Sequence, residues 1–390
     1  MRYVTAGESH GPQLTAIVEG VPAGLKISET DLNVDMARRQ SGYGRGGRQA
    51  IERDQVRVVS GVRFGKTLGT PVALVVENRD WQNWTDRMSV FGEAPANLKR
   101  ETMPRPGHAD LVGSLKIDSD DCRNVLERAS ARETAARVAA AGIAKEFLVD
   151  VGVEIYSYVI SIGEVSLDEA DPMIDAAERT TLAIETSEVR CPDEKTTEAM
   201  KAAIDAAREA GESLGGTFRV AARGLLPGVG GYATADERLT GRIGQAMFSI
   251  PAIKGVEFGL GFEAARRVGS KVHDSIVLNR GVGFTRTSNN AGGLEGGMTT
   301  GLPLIVTCAM KPIPTLMTPL QTVDLDTLEP TEASKERSDV CAVPAAAVVA
   351  EAELAFVLAN AYLEKFGHEN MADIRSAIAS YKQRLKTSSR

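Results

Sequence analysis

The sequence predicts an α+β chain built from two related halves, and three observations carry that prediction. Stretches with β-branched content and alternation recur at Leu14–Glu19, Val56–Val62, Pro71–Glu77 and Val153–Ile162, which read as strands. Two long Ala/Val-rich segments, Ala135–Leu148 and Ala345–Phe366, read as close-packed helices. Short motifs also return. Gly65-Lys-Thr-Leu-Gly-Thr-Pro71 and Gly297-Met-Thr-Thr-Gly-Leu-Pro303 share Gly-x-Thr-x-Gly-x-Pro ahead of an apolar strand, and Gly20–Gly24 and Gly224–Gly228 share a Gly/Pro/Gly turn ahead of an arginine-containing helix. Arg128-Ala-Ser130 and Arg337-Ser-Asp339 each precede one of the long helices. An internal duplication is the economical account. The halves fall at about 1–150 and 215–370, a charged segment at about 151–214 supports them from the periphery, and 1–390 forms one domain with its site where the halves meet.

Each further element follows from local chemistry. Ser28 with Asp31 starts a helix running through Leu32, Met36 and Arg39. Asn78–Arg100 holds both tryptophans, Trp81 and Trp84, in a polar setting with little periodicity, and is either a surface excursion or a lid. The central stretch is Glu127-Arg-Ala-Ser-Ala-Arg-Glu-Thr134, leading into Ala135–Leu148. On a helical first turn Arg128 and Arg132, spaced i,i+4, share a face, with Ser130 beside the orphan N–H groups that attract an anion. Buried guanidinium groups need an anionic partner, so a phosphate is expected here; a helix start salt-bridged through Glu127 and Glu133 is the alternative.

Composition narrows the function. The 390 residues are 43% hydrophobic and 25% charged, with a net charge of −7 that disfavours nucleic acid as a partner. Cys122, Cys191, Cys308 and Cys341 show no metal-ligand spacing, so no metal is expected and a reducing cytoplasm fits. No signal peptide or long uncharged apolar run stands out, which points to a soluble protein with no membrane partner. The 38 glycines gather in candidate site loops, suggesting backbone brought close to a ligand. Two of those loops, Gly7-Glu-Ser-His-Gly11 and Arg105-Pro-Gly-His-Ala-Asp110, expose a histidine with little to pack against. Arg38–Arg48 is the densest basic stretch, with Arg45 and Arg48 among four glycines, and reads as an anion-binding loop. Ser288–Gly297, Lys311-Pro-Ile-Pro-Thr315 and Pro251–Gly255 look like walls around a flat cofactor carrying a phosphate.

Taken together, Gly7–Gly11, Glu127–Thr134 and Arg337-Ser-Asp-Val-Cys-Ala-Val-Pro344, with Gly42-Tyr-Gly-Arg-Gly, Arg105–Asp110, Gly293-Leu-Glu-Gly-Gly297 and Lys311–Thr315 between them, resemble the chorismate synthase family from Met1 to about Tyr381. The resemblance implies a layered β-α-β sandwich, with long central helices between antiparallel sheets, assembled as a homotetramer in the cytoplasm. It implies a lyase converting 5-enolpyruvylshikimate 3-phosphate to chorismate and phosphate by 1,4-elimination, the last step of the shikimate pathway to aromatic amino acids. The family requires reduced FMN without net redox change, through transient electron donation to the allylic system.

By the same resemblance His10 protonates the departing phosphate, His108 faces the flavin, and Asp339 handles the ring proton. FMN contacts carry over onto Arg128, Ala129, Ser130, Pro251, Ala252, Gly296, Lys311, Pro312, Ile313, Pro314, Thr315 and Arg337. Substrate carboxylates and phosphate suit the guanidinium forks of Arg39, Arg45, Arg48, Arg105, Arg132 and Arg337. Arg39 and Arg45 are also associated with NADP, and NADPH is a possible reductant. The chain shows no obvious insertion for an intrinsic flavin reductase, so a separate reductase is expected. Two other functions compete. An FMN oxidoreductase would need a nicotinamide site, yet no G-x-G-x-x-G fingerprint follows a strand. An anion- or RNA-binding module on Arg38–Arg48 conflicts with the acidic total and the scarcity of aromatics.

Overall fold

The computed structural model describes residues 1–46, 52–167, 181–279, 283–336 and 338–388. It is mixed α+β with antiparallel sheets. The first sheet has the strand order β1-β2-β6-β3, formed by β1 (Arg2–Ala6), β2 (Gln13–Glu19), β3 (Val56–Val58) and β6 (Val72–Glu77); a small hairpin of β4 (Val62–Arg63) and β5 (Lys66–Thr67) lies between the last two in sequence. The second sheet runs β10-β15-β9-β7-β8, from β7 (Glu154–Ile162), β8 (Val165–Ser166), β9 (Gly216–Arg223), β10 (Ile253–Phe258) and β15 (Leu304–Met310). Between β10 and β15 the chain forms two hairpins, β11 (Ile276–Asn279) with β12 (Gly283–Arg286) and β13 (Leu294–Glu295) with β14 (Met298–Thr299).

Helix α1 (Glu29–Gln40) starts where expected. Ser28 caps it by accepting from the Thr30 N–H, acidic residues fill its first turn and arginines its last, and Leu32, Met36 and Arg39 form its buried stripe. Downstream come α2 (Asp110–Ile117), α3 (Arg123–Ala129) and α4 (Thr134–Asp150). Helix α4 packs on β1, β2 and β6, while the longest helix, α5 (Val343–Phe366), packs on β7 and β9; the two helices also pack on each other, and α1 touches both. Small side chains make this possible: a Cβ at Gly142 would lie 2.4 Å from Leu32 Cδ2. Helix α5 is long and apolar enough to cross a bilayer, but it carries Glu351 and Glu353, in keeping with the expectation of no long uncharged apolar run, and 89% of that window is buried inside the protein. It is a core helix.

The two motif pairs occupy matching places. In the first sheet Gln13 pairs with Glu77 and Val18 with Val72; in the second, Thr217 pairs with Ala309 and Ala222 with Leu304. Thr67 Oγ1 donates to the Pro22 carbonyl at 2.6 Å and accepts from Leu25 N–H at 3.0 Å, and Thr299 Oγ1 does the same with Leu226 at 2.6 Å and Val229 at 2.9 Å. Gly24 and Gly228 donate their N–H groups to the carbonyls of these same threonines.

Of the intervening segment, 168–180 lies outside the described residues, and Thr181–Thr186 and Glu194–Glu209 are helices. It braces the arginine loop. Tyr43 donates to Asp205 at 2.8 Å, and a Cβ at Gly44 would meet Ile204 at 2.8 Å.

Candidate active site

The central motif does not form one helix start. Helix α3 ends at Ala129, Ser130 is extended (φ −62°, ψ 143°), and a 3-10 turn over Ala131–Glu133 precedes α4. Ser130 Oγ accepts the Arg132 N–H, so it caps the turn. This break corrects the expectation that Arg128 and Arg132 share a face. Arg128 stays partly exposed and donates to the carbonyls of Thr5 and Gly7. Arg132 turns inward to Asp54 Oδ1 at 2.5 Å and Asn78 Oδ1 at 2.8 Å. Its anionic partner is thus a carboxylate of the chain itself. The salt-bridged alternative holds in part: Glu133 pairs with Arg137 at 2.9 Å and with Arg128 at 3.7 Å, while Glu127 turns to His10 and Arg123.

Asp54 is fully buried and also takes Arg39 NH1 at 3.2 Å, so one carboxylate spans two candidate arginines. Burial is the largest influence on Arg39 and lowers its pKa; Asp54 opposes this, while Arg132 and Arg45 add to it. Arg45 pairs with Asp339 Oδ2 at 2.8 Å, and the Gly46 N–H donates to Asp339 Oδ1 at 2.6 Å. Arg45 Nε is buried with no acceptor among the described residues. Arg38 leaves this group altogether. It forms a buried network with Asp35, Glu185 and Glu351, so the basic stretch divides between site and core. Arg48 and Arg337 lie outside the described residues.

Asn78 joins the arginines to the first histidine loop. Its amide donates to the carbonyls of Glu8 and Gly11 while its oxygen accepts from Arg132. His10 Nδ1 lies 2.8 Å from Glu127 Oε1, and Trp84 stacks on the imidazole at 3.9 Å. The Asn78–Arg100 segment therefore begins with a 3-10 turn, Arg79–Asn83, that delivers Trp84 over His10. Arg123 links Glu127 at 3.1 Å to Glu336 at 2.8 Å, next to the Arg337–Asp339 motif.

A second cluster surrounds His108. Its Nδ1 is 2.5 Å from Asp110 Oδ1, Arg105 Nε donates to Asp110 Oδ2 at 2.8 Å, and Arg105 NH1 donates to Thr315 Oγ1 at 3.1 Å. Burial would raise the Asp110 pKa, but the hydrogen bonds from His108 and Arg105 hold it well below the usual carboxylate range. An ionised Asp110 requires the proton on Nδ1 of His108, which makes the 3.2 Å approach of Arg105 NH2 to that nitrogen a contact without a bond. Lys311 Nζ donates to the Gly107 carbonyl at 2.6 Å, so the Lys311–Thr315 segment closes on this loop. Ile313 accepts from Ser213, and Pro312 is exposed beside it while Pro314 is half-buried. Ala252, at φ +69° after exposed Pro251, accepts the Lys311 N–H at 3.0 Å.

Gly296 sits exposed at a hairpin tip, and a Cβ there would have nothing nearer than 4.0 Å. Other glycines of that loop serve packing: a Cβ at Gly292 would stand 2.3 Å from the Gly259 nitrogen. This narrows the expectation that the glycine excess marks ligand contact. Sequence reasoning missed Asp54, Asn78 and Arg123 as site members. No local spacing signals Asp54 or Asn78, which act across the fold, whereas the i,i+4 spacing of Arg123 to Glu127 is a signal that could have found Arg123.

The chain is similar to known proteins over nearly its whole length. The family model described as chorismate synthase matches residues 1–363. A chorismate synthase of Aquifex aeolicus (strain VF5) is 53% identical over 99% of this chain and 98% of its own, and one of Bacillus subtilis (strain 168) is 52% identical over 98% and 99%. A crystal structure of chorismate synthase superposes with a TM-score of 0.81 at 44% identity, covering 99% of this chain and 98% of the other. With its length, motifs and fold all matched, the chain belongs to the chorismate synthase family.

Proposed function

We propose that the chain performs its reaction between the Arg39–Arg45–Arg132 group and the two histidine loops. The reaction is that of the family: 5-enolpyruvylshikimate 3-phosphate loses phosphate by 1,4-elimination to give chorismate, closing the shikimate pathway. The observation that carries the assignment is the chain of contacts from the His10 loop through Asn78 to Arg132, Asp54 and Arg39, with Arg45 and Asp339 beside it. A substrate bearing a phosphate and two carboxylates needs guanidinium forks that are already oriented, and the buried Arg45 Nε–H, which has no acceptor among the described residues, is a donor suited to such an anion. Arg48, Arg105 and Arg337 complete the substrate set in this proposal.

In the mechanism we infer, His10 gives its proton to the leaving phosphate while Asp339, held by Arg45 and Gly46, accepts the ring proton. Arg128, Ala129 and Ser130, Pro251 and Ala252, Gly296, Lys311–Thr315 and Arg337 would hold FMN, with His108 beside its ring. The donor set suits that group: a partly exposed guanidinium, an ammonium, and an open glycine tip for close approach. Reduced FMN, when bound, supplies electron density that eases phosphate departure without net redox. A separate flavin reductase keeps FMN reduced, and NADPH meets this chain through Arg39 and Arg45.

We also propose one domain of duplicated halves arranged as a β-α-β sandwich, supported by the equal strand registers and threonine bonds of the two sheets. The exposed apolar hairpin residues Ile276, Val277, Leu278 and Phe284 suit burial in a cytoplasmic homotetramer. His10→Ala and His108→Ala test the site: each should lower turnover by about a hundredfold while the circular dichroism stays unchanged. Wild-type turnover in either variant removes that histidine from the mechanism.

A further inference from the structure

We propose that Glu127 is a positioning residue for His10, holding the imidazole with its proton on Nδ1 so that Nε2 is the nitrogen that serves the phosphate. The proposal rests on the functional assignment above. Both Glu127 oxygens serve His10, Oε2 lying also 3.1 Å from Nδ1 and Oε1 accepting also from Arg123 at 3.1 Å. Oε2 accepts the His10 backbone N–H at 2.7 Å, and Oε1 lies 2.8 Å from the ring Nδ1. The first contact fixes where the residue stands; the second fixes how the ring is turned. The Ser9 N–H donates to the Glu127 carbonyl at 3.0 Å, so three bonds seat the histidine loop on one turn of α3.

The tautomer follows from acceptor chemistry. Burial would raise the Glu127 pKa, but the bonds from His10 and Arg123 bring it below the ordinary value. An ionised carboxylate only accepts, so Nδ1 must carry the hydrogen. Trp84 covers the ring face at 3.9 Å with 27° between the planes, and Asp80 accepts the indole N–H at 3.3 Å. Arg123 lies 5.2 Å from the Trp84 ring centroid while bonded to Glu127, tying the face contact to the edge contact.

This arrangement suits one direction of proton flow. As phosphate leaves, the Nε2–H bond breaks and a phosphate O–H bond forms. The bonding pair stays on Nε2, the ring loses its positive charge, and the neutral product is the Nδ1–H tautomer that Glu127 stabilises. The carboxylate never takes the proton.

Glu127→Gln tests this because it keeps the shape but replaces two acceptors with one acceptor and one donor. Whichever way the amide turns, a donor faces a donor, either the His10 N–H or Nδ1–H. We expect kcat to fall by about a hundredfold with KM for 5-enolpyruvylshikimate 3-phosphate within about threefold of wild type. Glu127→Asp, which keeps the charge on a shorter arm, should retain more turnover than the Gln variant. A packing role predicts the opposite order, since Gln fills the buried space and Asp leaves a gap. A Gln variant at wild-type kcat, or one faster than the Asp variant, overturns the proposal. Histidine-selective 15N spectra of the wild type test it without any change at Glu127. There are four histidines, and His10→Ala identifies the signal; at a pH where the His10 ring is neutral, a protonated Nδ1 with a bare Nε2 supports the proposal and the reverse tautomer refutes it. A wild-type chain that makes no chorismate defeats the functional assignment instead, and the 15N result still decides the geometry.

Discussion

Asp54→Asn isolates the charge on which the buried arginine pair depends. Asp54 has no exposed side-chain surface and is the carboxylate bonded to both Arg39 and Arg132, whose side chains are each only 6% exposed. Arg39 keeps Thr134 Oγ1 and the Ala131 carbonyl, and Arg132 keeps Asn78. The nearest other carboxylate, Glu52, is 3.8 Å from Arg132. The variant therefore preserves most hydrogen bonds and removes the counter-charge. Breaking a buried pair by neutralising one partner costs about 3–5 kcal/mol. With an unfolding entropy of about 2.1 cal/mol/K per residue, a chain of this size changes by about 0.8 kcal/mol per degree, so Tm should fall by about 5 °C. Calorimetry at pH 7 measures it. Inorganic phosphate should restore more of the lost Tm in the variant than it adds to the wild type, because the uncovered guanidinium groups then recruit an anion. A Tm within 1 °C of wild type contradicts the reasoning.

The acid limb of stability should report the paired carboxylates. Glu185 is brought down to about 2: burial opposes the shift, but Arg38 and Arg190 outweigh it. Asp110, Glu127 and Glu351 are likewise lowered by their cationic partners against burial. A lowered folded pKa gives stability that is present above the unfolded value of about 4.5 and lost as pH falls toward the folded value, so urea midpoints should drop steadily from about pH 4.5 to pH 2. Glu101 and Glu353, raised chiefly by burial, act oppositely just above that range and should leave a shallow maximum there. A flat profile below pH 4.5 contradicts this. The related turns offer a contrast in one pair of substitutions. Gly20→Ala meets only the penalty of its φ of +71°, about 1 kcal/mol, since its Cβ would clear Met1 by 3.4 Å. Gly224→Ala, at φ +80°, sets a Cβ 2.1 Å from the Gly152 carbonyl oxygen and should lose at least twice as much in denaturant titrations. Equal losses contradict the packing argument.

Much of the fold was legible because periodicity and caps are local. Ser28, Leu32, Met36 and Arg39 marked α1, and the repeated Gly-x-Thr-x-Gly-x-Pro pointed to two threonines with matching hydrogen bonds. The site was legible at its motifs and opaque in its wiring. Arg128 and Arg132 looked like one helical face because i,i+4 spacing is silent about the extended backbone at Ser130. Arg38 and Arg39 are neighbours in sequence yet serve the core and the site separately, since successive helical residues point about 100° apart. Asp54 and Asn78 carry no motif; tertiary contact alone makes them part of the site.

Chorismate formation from 5-enolpyruvylshikimate 3-phosphate, followed by ultraviolet absorbance, is the most direct test of the account. One sample is anaerobic with FMN already reduced by dithionite, and the other holds oxidised FMN with NADPH in air. The account predicts product in the first sample only. Product in both would contradict the separate reductase and place reduction of FMN in this chain, and product in neither would contradict the assignment of the site itself.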